Sequence, residues 1–121
     1  MNGFYYRKLN AYNLAKKLVI FIYQLLNTFP KEEKFALCDQ LRRAAISIPS
    51  NIAEGMGRNS VKERIHFIEI GYGFLMETMC QLEIALELKY ISSEDFQKGE
   101  DFIKETAMTM SGLRNSLMNK V

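Results

Sequence analysis

"IHFIEIGYGFLMETMCQLEIAL", residues Ile65 to Leu86, places Ile65, Ile68, Tyr72, Leu75, Met79, Leu82 and Leu86 at alternating steps of three and four. That spacing puts all seven on one stripe of an α-helix, a heptad-like seam suited to left-handed bundle packing. Ser60-Val61-Lys62-Glu63 stands just before it as a capping box, in which serine and glutamate each satisfy a backbone N–H. The reading is a helix over approximately 61–89.

The rest of the chain repeats the pattern. Leu14, Leu18, Phe21, Ile22, Leu25 and Phe29 form a helical stripe over approximately 8–28. The β-branched pair Val19-Ile20 would suit a strand, but a stripe sustained this long favours helix. Pro30 followed by Lys31-Glu32-Glu33 reads as a fresh start, because proline lacks an N–H that the first turn would leave unpaired and acids there oppose the macrodipole. The predicted second helix, approximately 31–57, carries Leu37, Leu41, Ala44, Ile48 and Ile52, with Gly55 and Gly57 as stops. The last, approximately 93–118, opens on Glu94-Asp95 and lines up Phe96, Ile103, Met110, Leu113 and Leu117, while Gly99 and Thr106 thin its seam. Residues 1–121 are thus read as one all-α domain, an up-down-up-down four-helix bundle with a Pro-kinked second helix.

Composition agrees. Hydrophobic residues are 48% and charged residues 25%, enough to bury a core. The longest wholly apolar run, Leu18 to Tyr23, falls far short of the ~18 residues of a membrane span. No small-residue cleavage site follows it, and Cys38 and Cys80 lack C-x-x-C spacing. Two buried free thiols in a reducing cytoplasm are expected, with no membrane contact.

"RRAAISIPSNIAEGMGR", Arg42 to Arg58, is more unusual. On a helical wheel its apolar residues cover an arc of roughly 200°, wider than the stripe of about 100° typical of a surface helix. Phe67, Ile70, Phe74 and Leu88 likewise lie off the seam of the third helix. In a four-helix bundle each helix keeps an outward face, and an apolar one calls for a cover. A further copy of the chain is the simplest, so a closed homo-oligomer is expected.

Pro49 removes the hydrogen bond to the Ala45 carbonyl at a cost of ~3 kcal/mol and predicts a kink. Ser47, Ser50 and Asn51 are short polar side chains suited to repair it. Arg43, Ser47, Asn51 and Glu54 share one narrow face. Either they form a hydrogen-bonded seam against a third-helix group such as Glu69 or Glu77, or they contact a ligand.

Residues 1–60 hold nine basic and four acidic groups, residues 61–121 seven and ten. The first half is therefore basic, and Arg7, Lys8, Lys16, Lys17, Arg42, Arg43 and Arg58 are candidate contacts for phosphates or a partner. Phe4, Tyr5 and Tyr6 are expected to cover the bundle mouth rather than stack on bases. Sharper chemistry finds no support. Glu63-x-x-His66 has di-iron spacing, but such sites need two of these motifs and the chain has one histidine. An acid, Glu69, stands where a phosphotransfer helix carries lysine, and Gly55-x-Gly57 ends a helix rather than following a strand. No enzymatic role, cofactor or metal is expected.

At "FPKEE" (Phe29–Glu33), "QLRRAAISIPSNIAEGMGR" (Gln40–Arg58) and "GYGFLMETMCQLEIALELKYIS" (Gly71–Ser92) the chain resembles the bacterial four-helix-bundle proteins encoded in intervening sequences of 23S rRNA genes, which are related to accessory proteins of diversity-generating retroelements. The resemblance implies a homopentamer, no enzymatic activity, and binding of RNA, DNA or a nucleoprotein. It matches Arg42 and Arg43 to the family's paired arginines, and Ser47, Asn51, Glu54 and Gly55 to its polar signature. Gly73-Phe74-Leu75 and Thr78-Met79-Cys80 depart from its usual third helix. A protein-interaction scaffold without nucleic-acid contact is the alternative.

Overall fold

The computed structural model describes residues 4–121. Four helices build it: α1 (Asn10–Leu26), α2 (Leu37–Met56), α3 (Val61–Glu87) and α4 (Ser93–Met118), with 3-10 turns at Tyr5–Lys8 and Lys31–Glu33. Each helix packs on two others, α1 and α3 both against α2 and α4, and the diagonal pairs do not meet. Gly55 lies against Phe67 and Gly71 against Asn51, so α2 and α3 are antiparallel; Gly71 against Met110 and Gly99 against Leu82 set α3 and α4 the same way. The result is the up-down-up-down bundle expected from four stripes joined by short connections.

The stripes are the core. Leu18, Ile22, Leu41, Ile48, Ile52, Ile68, Leu75, Leu82 and Met110 are completely shielded from solvent. Each contributes about 1.5–3 kcal/mol by burial. Ala11 and Ala15 extend the α1 stripe, where their small size brings the neighbouring helices close. The thin places of the α4 stripe are filled by approach: a Cβ on Gly99 would stand 2.9 Å from Leu82 Cδ1 and 3.3 Å from the Phe21 ring. Thr106 and Thr78 are fully buried, each hydroxyl donating to the carbonyl four residues back, Phe102 at 2.7 Å and Phe74 at 2.9 Å. Their polar atoms are thereby paired within their own helices.

Both serine caps form. Ser60 Oγ accepts from the Glu63 N–H and Ser92 Oγ from the Asp95 N–H, each at 3.0 Å. Only the serine arm of the Ser60 box is made, with no return bond from Glu63 among the hydrogen bonds of the described residues.

Three expectations are corrected. The second helix starts at Leu37, not at Lys31: the chain makes a 3-10 turn at Lys31–Glu33, and Ala36 then departs from helical geometry with φ −118° and ψ −106°. Glu33 still serves a helix start, but from outside, accepting the Leu37 N–H at 3.4 Å. Tyr90 Oη meets the same carboxylate at 3.5 Å. Cys38 is buried as expected, but Cys80 is exposed. It stands between core positions Met79 and Leu82 on the outward side of the α3 stripe. Finally, Phe4 and Tyr5 are 61% and 45% exposed, so of the three leading aromatics only Tyr6, edge-on to Tyr12 at 4.8 Å, packs on the core.

Candidate nucleic-acid interface

Pro49 organises the outer surface where α1 and α2 meet. Helix α2 runs on through it, although its nitrogen has no proton for the Ala45 carbonyl. Ser47 Oγ donates to the Arg43 carbonyl and Asn51 Nδ2 to the Ser47 carbonyl, both at 2.7 Å. These bonds bracket the proline but do not reach Ala45, and Ser50 makes no side-chain bond. The expected repair of the freed carbonyl is therefore corrected: the polar side chains reinforce the turns on either side. The proline ring itself, with Val19, Ile20, Ile46 and Ala53, walls an apolar groove of about 400 Å3 between α1 and α2. Ile20 and Ile46 on its lips are 57% and 41% exposed.

The expected seam from Arg43 to Glu54 against α3 does not form. Arg43 Nε pairs with Asp39 at 3.1 Å and Arg58 with Glu54 at 3.0 Å, both along α2 itself. Glu69 is engaged instead by Arg114 of α4 at 2.7 Å. Because α2 residues four apart are surface neighbours, the local pairs form before any reach across to α3. Gly55, at the buried edge of this face, packs closely on α3 at Phe67 and the Arg64 carbonyl.

The candidate cations do not form one patch. Arg7 and Lys8 end the 3-10 turn that precedes α1, with the Arg7 guanidinium 4.5 Å from the Phe4 ring centre. Arg58 is at the opposite terminus of α2 from Arg42 and Arg43, and its guanidinium also covers the Phe67 ring at 4.7 Å. Lys16 reaches over Tyr12 at 5.1 Å on the lip of the groove, whereas Lys17, one residue on, is rotated by about 100° away from it. Arg42 and Arg43 continue along the same α1–α2 surface, lining with Tyr23, Asp39 and Ile46 an open depression that adjoins the groove.

Sequence reasoning missed Lys31, Lys34, Tyr23 and Asn27. With Arg42 they border a cavity of about 290 Å3 at the end of the bundle, floored by Leu26, Phe29 and Cys38. Arg42 Nη2 donates to the Lys34 carbonyl at 3.2 Å, tying the loop to α2. Its own ion pair with Asp39 is long, 3.8 Å. Neither Lys31 nor Lys34 is in an ion pair among the described residues. The signal that would have found them was "PKEEK", had it been read as a turn folding back on α2 rather than as the first turn of α2. Burial pushes the Cys38 thiol above its ordinary range, with Arg42 opposing and Glu33 assisting. The cavity floor is thus neutral and apolar while its rim is cationic.

Among the described residues no three histidine, cysteine or acidic side chains converge as a metal site, and no helix is long and apolar enough to cross a membrane. His66 is exposed beside the Phe67 ring.

Comparison with known proteins adds the lineage. The chain is similar in structure to a crystallised protein of unknown function from the S23 ribosomal protein family of Bacteroides thetaiotaomicron, with a TM-score of 0.80, 22% identity, and coverage of 87% of this chain and 95% of that one. At that identity the likeness shows the fold. Among curated proteins none matches. The family model of the 23S rRNA-intervening sequence proteins matches residues 7–112, a span holding all four helices up to the last turns of α4 together with the Arg42–Arg58 motif. The chain belongs to the 23S rRNA-intervening sequence protein family.

Proposed function

We propose that the protein is a non-catalytic homo-oligomer, a pentameric ring by family resemblance, that binds RNA or DNA through the cationic surface of α1 and α2. The observation that carries this reading is the coincidence, on one surface, of an open apolar groove and cations with no acidic partner: Lys16 beside the groove, Lys31 and Lys34 beyond it. The groove calls for a cover. An outward ridge on α3, running Ile70, Glu77, Ile84 and Leu88, supplies one from the next copy. Ile84 and Leu88 on it are 42% and 50% exposed. A ridge on one copy entering a groove on the next is a heterologous contact, which closes into a ring when the rotation allows.

Light scattering combined with salt-titrated binding of a short RNA tests the reading. Expected is a mass several times that of the chain and an affinity that falls by about 0.7 log units per log unit of salt for each phosphate contacted. A monomer at micromolar concentration, or no binding at low salt, refutes it.

The internal pairs Arg43–Asp39 and Arg58–Glu54 favour a second reading, a scaffold for a partner protein in which these arginines are already satisfied. Capture of one protein, unchanged by nuclease, supports that alternative.

A further inference from the structure

We propose that the cavity between the α1–α2 connection and α2 holds one nucleotide, its phosphate on Lys31, Lys34 and Arg42 and its base against Tyr23. This deepens the nucleic-acid reading above by naming the unit recognised.

The chemistry of the walls is divided as a nucleotide is divided. Leu26, Phe29 and Cys38 are buried apolar residues of its lining, with Phe29 only 8% exposed. Tyr23 stands at its mouth 42% exposed, an aromatic face to which any base can stack. The Asn27 side-chain amide offers both a donor and acceptors for a base edge. Lys31, Lys34 and Arg42 line the same cavity from two segments of chain, with Arg42 on the side it shares with Tyr23. A purely apolar ligand would leave Lys31 and Lys34 without an anionic partner, and a bare phosphate would leave the floor uncovered.

The rim is also built in advance. Arg42 holds the Lys34 carbonyl at 3.2 Å. The 3-10 turn brings Lys31 and Lys34 to one side, since residues three apart eclipse in that geometry. Glu33 is held by the Leu37 N–H and Tyr90 and is not among the lining residues, although its charge reaches the Cys38 thiol at the floor. Asp39 pairs with Arg43 at 3.1 Å and more loosely with Arg42 at 3.8 Å. No residue lining the cavity lines the α1–α2 groove, although the depression shared by Tyr23, Arg42 and Ile46 lies between them.

Two sources share this chemistry, a free nucleotide and a nucleotide within a strand, and titration followed by amide NMR separates them. The probes are AMP, adenosine, inorganic phosphate and a short single-stranded RNA. The variants are Lys34→Glu and Tyr23→Ala, with Lys98→Glu, an equal charge change on α4, as control. Millimolar AMP is expected to shift the amides of Asn27, Lys31 and Lys34, with adenosine and phosphate each weaker by about tenfold. Lys34→Glu and Tyr23→Ala are each expected to weaken AMP or RNA by about tenfold, and Lys98→Glu by less than about twofold.

AMP bound at these amides while RNA does not bind assigns the cavity to a free nucleotide and refutes the nucleic-acid reading alone. Silent AMP, with RNA weakened by both cavity variants, assigns it to a strand. RNA bound equally by Lys34→Glu and Lys98→Glu, with no AMP shifts at the cavity, overturns the proposal and leaves the broader reading standing.

Discussion

Gly55 and Phe67 are packed so closely that a Cβ added to Gly55 would lie 2.7 Å from the Phe67 Cβ and 3.3 Å from the Arg64 carbonyl oxygen. Both obstacles are backbone or next to it, so neither can swing aside. Gly55→Ala must therefore push α2 away from α3, at a cost of about 1–3 kcal/mol that outweighs alanine's better helix propensity of about 1 kcal/mol. Gly73→Ala meets nothing within 4 Å and is expected to stabilise the fold of a single chain by about 1 kcal/mol. Urea unfolding of the two variants should move in opposite directions, and equal midpoints would show that the α2–α3 contact is looser than described.

Lys89 ends α3 with φ 64°, and the Tyr90 N–H reaches back to the Ala85 carbonyl at 2.9 Å. This is the left-handed cap that glycine adopts without penalty, and a lysine there bears about 1 kcal/mol of backbone strain. Lys89→Gly is expected to raise stability by about 0.5–1 kcal/mol, less the entropy that glycine adds to the unfolded chain. The loop it terminates also carries Tyr90, which packs on Phe29 and whose carbonyl accepts from Thr28, so a lower melting point would mean that the substitution disturbs that contact.

The helices were legible because a 3.6-residue period survives every local irregularity: the seven seam residues from Ile65 to Leu86 all turn inward, as do Leu41, Ala44, Ile48 and Ile52. What was illegible depends on distance in space. "PKEEK" has the composition of a helix start, but the chain makes a 3-10 turn there, with Glu33 docked on Leu37 and Tyr90 and the Lys34 carbonyl accepting from Arg42. Arg43 and Arg58 read as free cations until the pairing with Asp39 and Glu54 is known. Cys80 looked apolar by its neighbours, yet the wheel position of one residue decides exposure.

Cys38 and Tyr90 make the fold sensitive to alkali. Burial raises the Cys38 thiol above its ordinary value; partial burial and the Glu33 and Glu32 carboxylates raise the Tyr90 phenol. Both neutral forms are favoured by folding. The stability they contribute is fully present below the ordinary values, about 8.5 for thiol and about 10 for phenol, and is lost as pH rises through the higher folded-state values. Thermal midpoints should therefore fall above pH about 8.5, with a shallower fall in Cys38→Ala. Identical slopes in both proteins would remove the thiol from the account.

Pro49→Ala separates the stability of the helix from the demand for assembly. The variant restores an N–H facing the Ala45 carbonyl, so α2 gains a hydrogen bond worth about 1 kcal/mol. It also strips ring carbons from the wall of the groove shared with Val19, Ile20 and Ile46. These effects act on different equilibria, the first on folding of each chain and the second on the proposed contact between copies. Helical circular dichroism should stay the same or rise, while light scattering should shift toward lower mass on dilution. If the mass holds at every concentration at which the unchanged protein assembles, the groove at Pro49 is not where the copies meet.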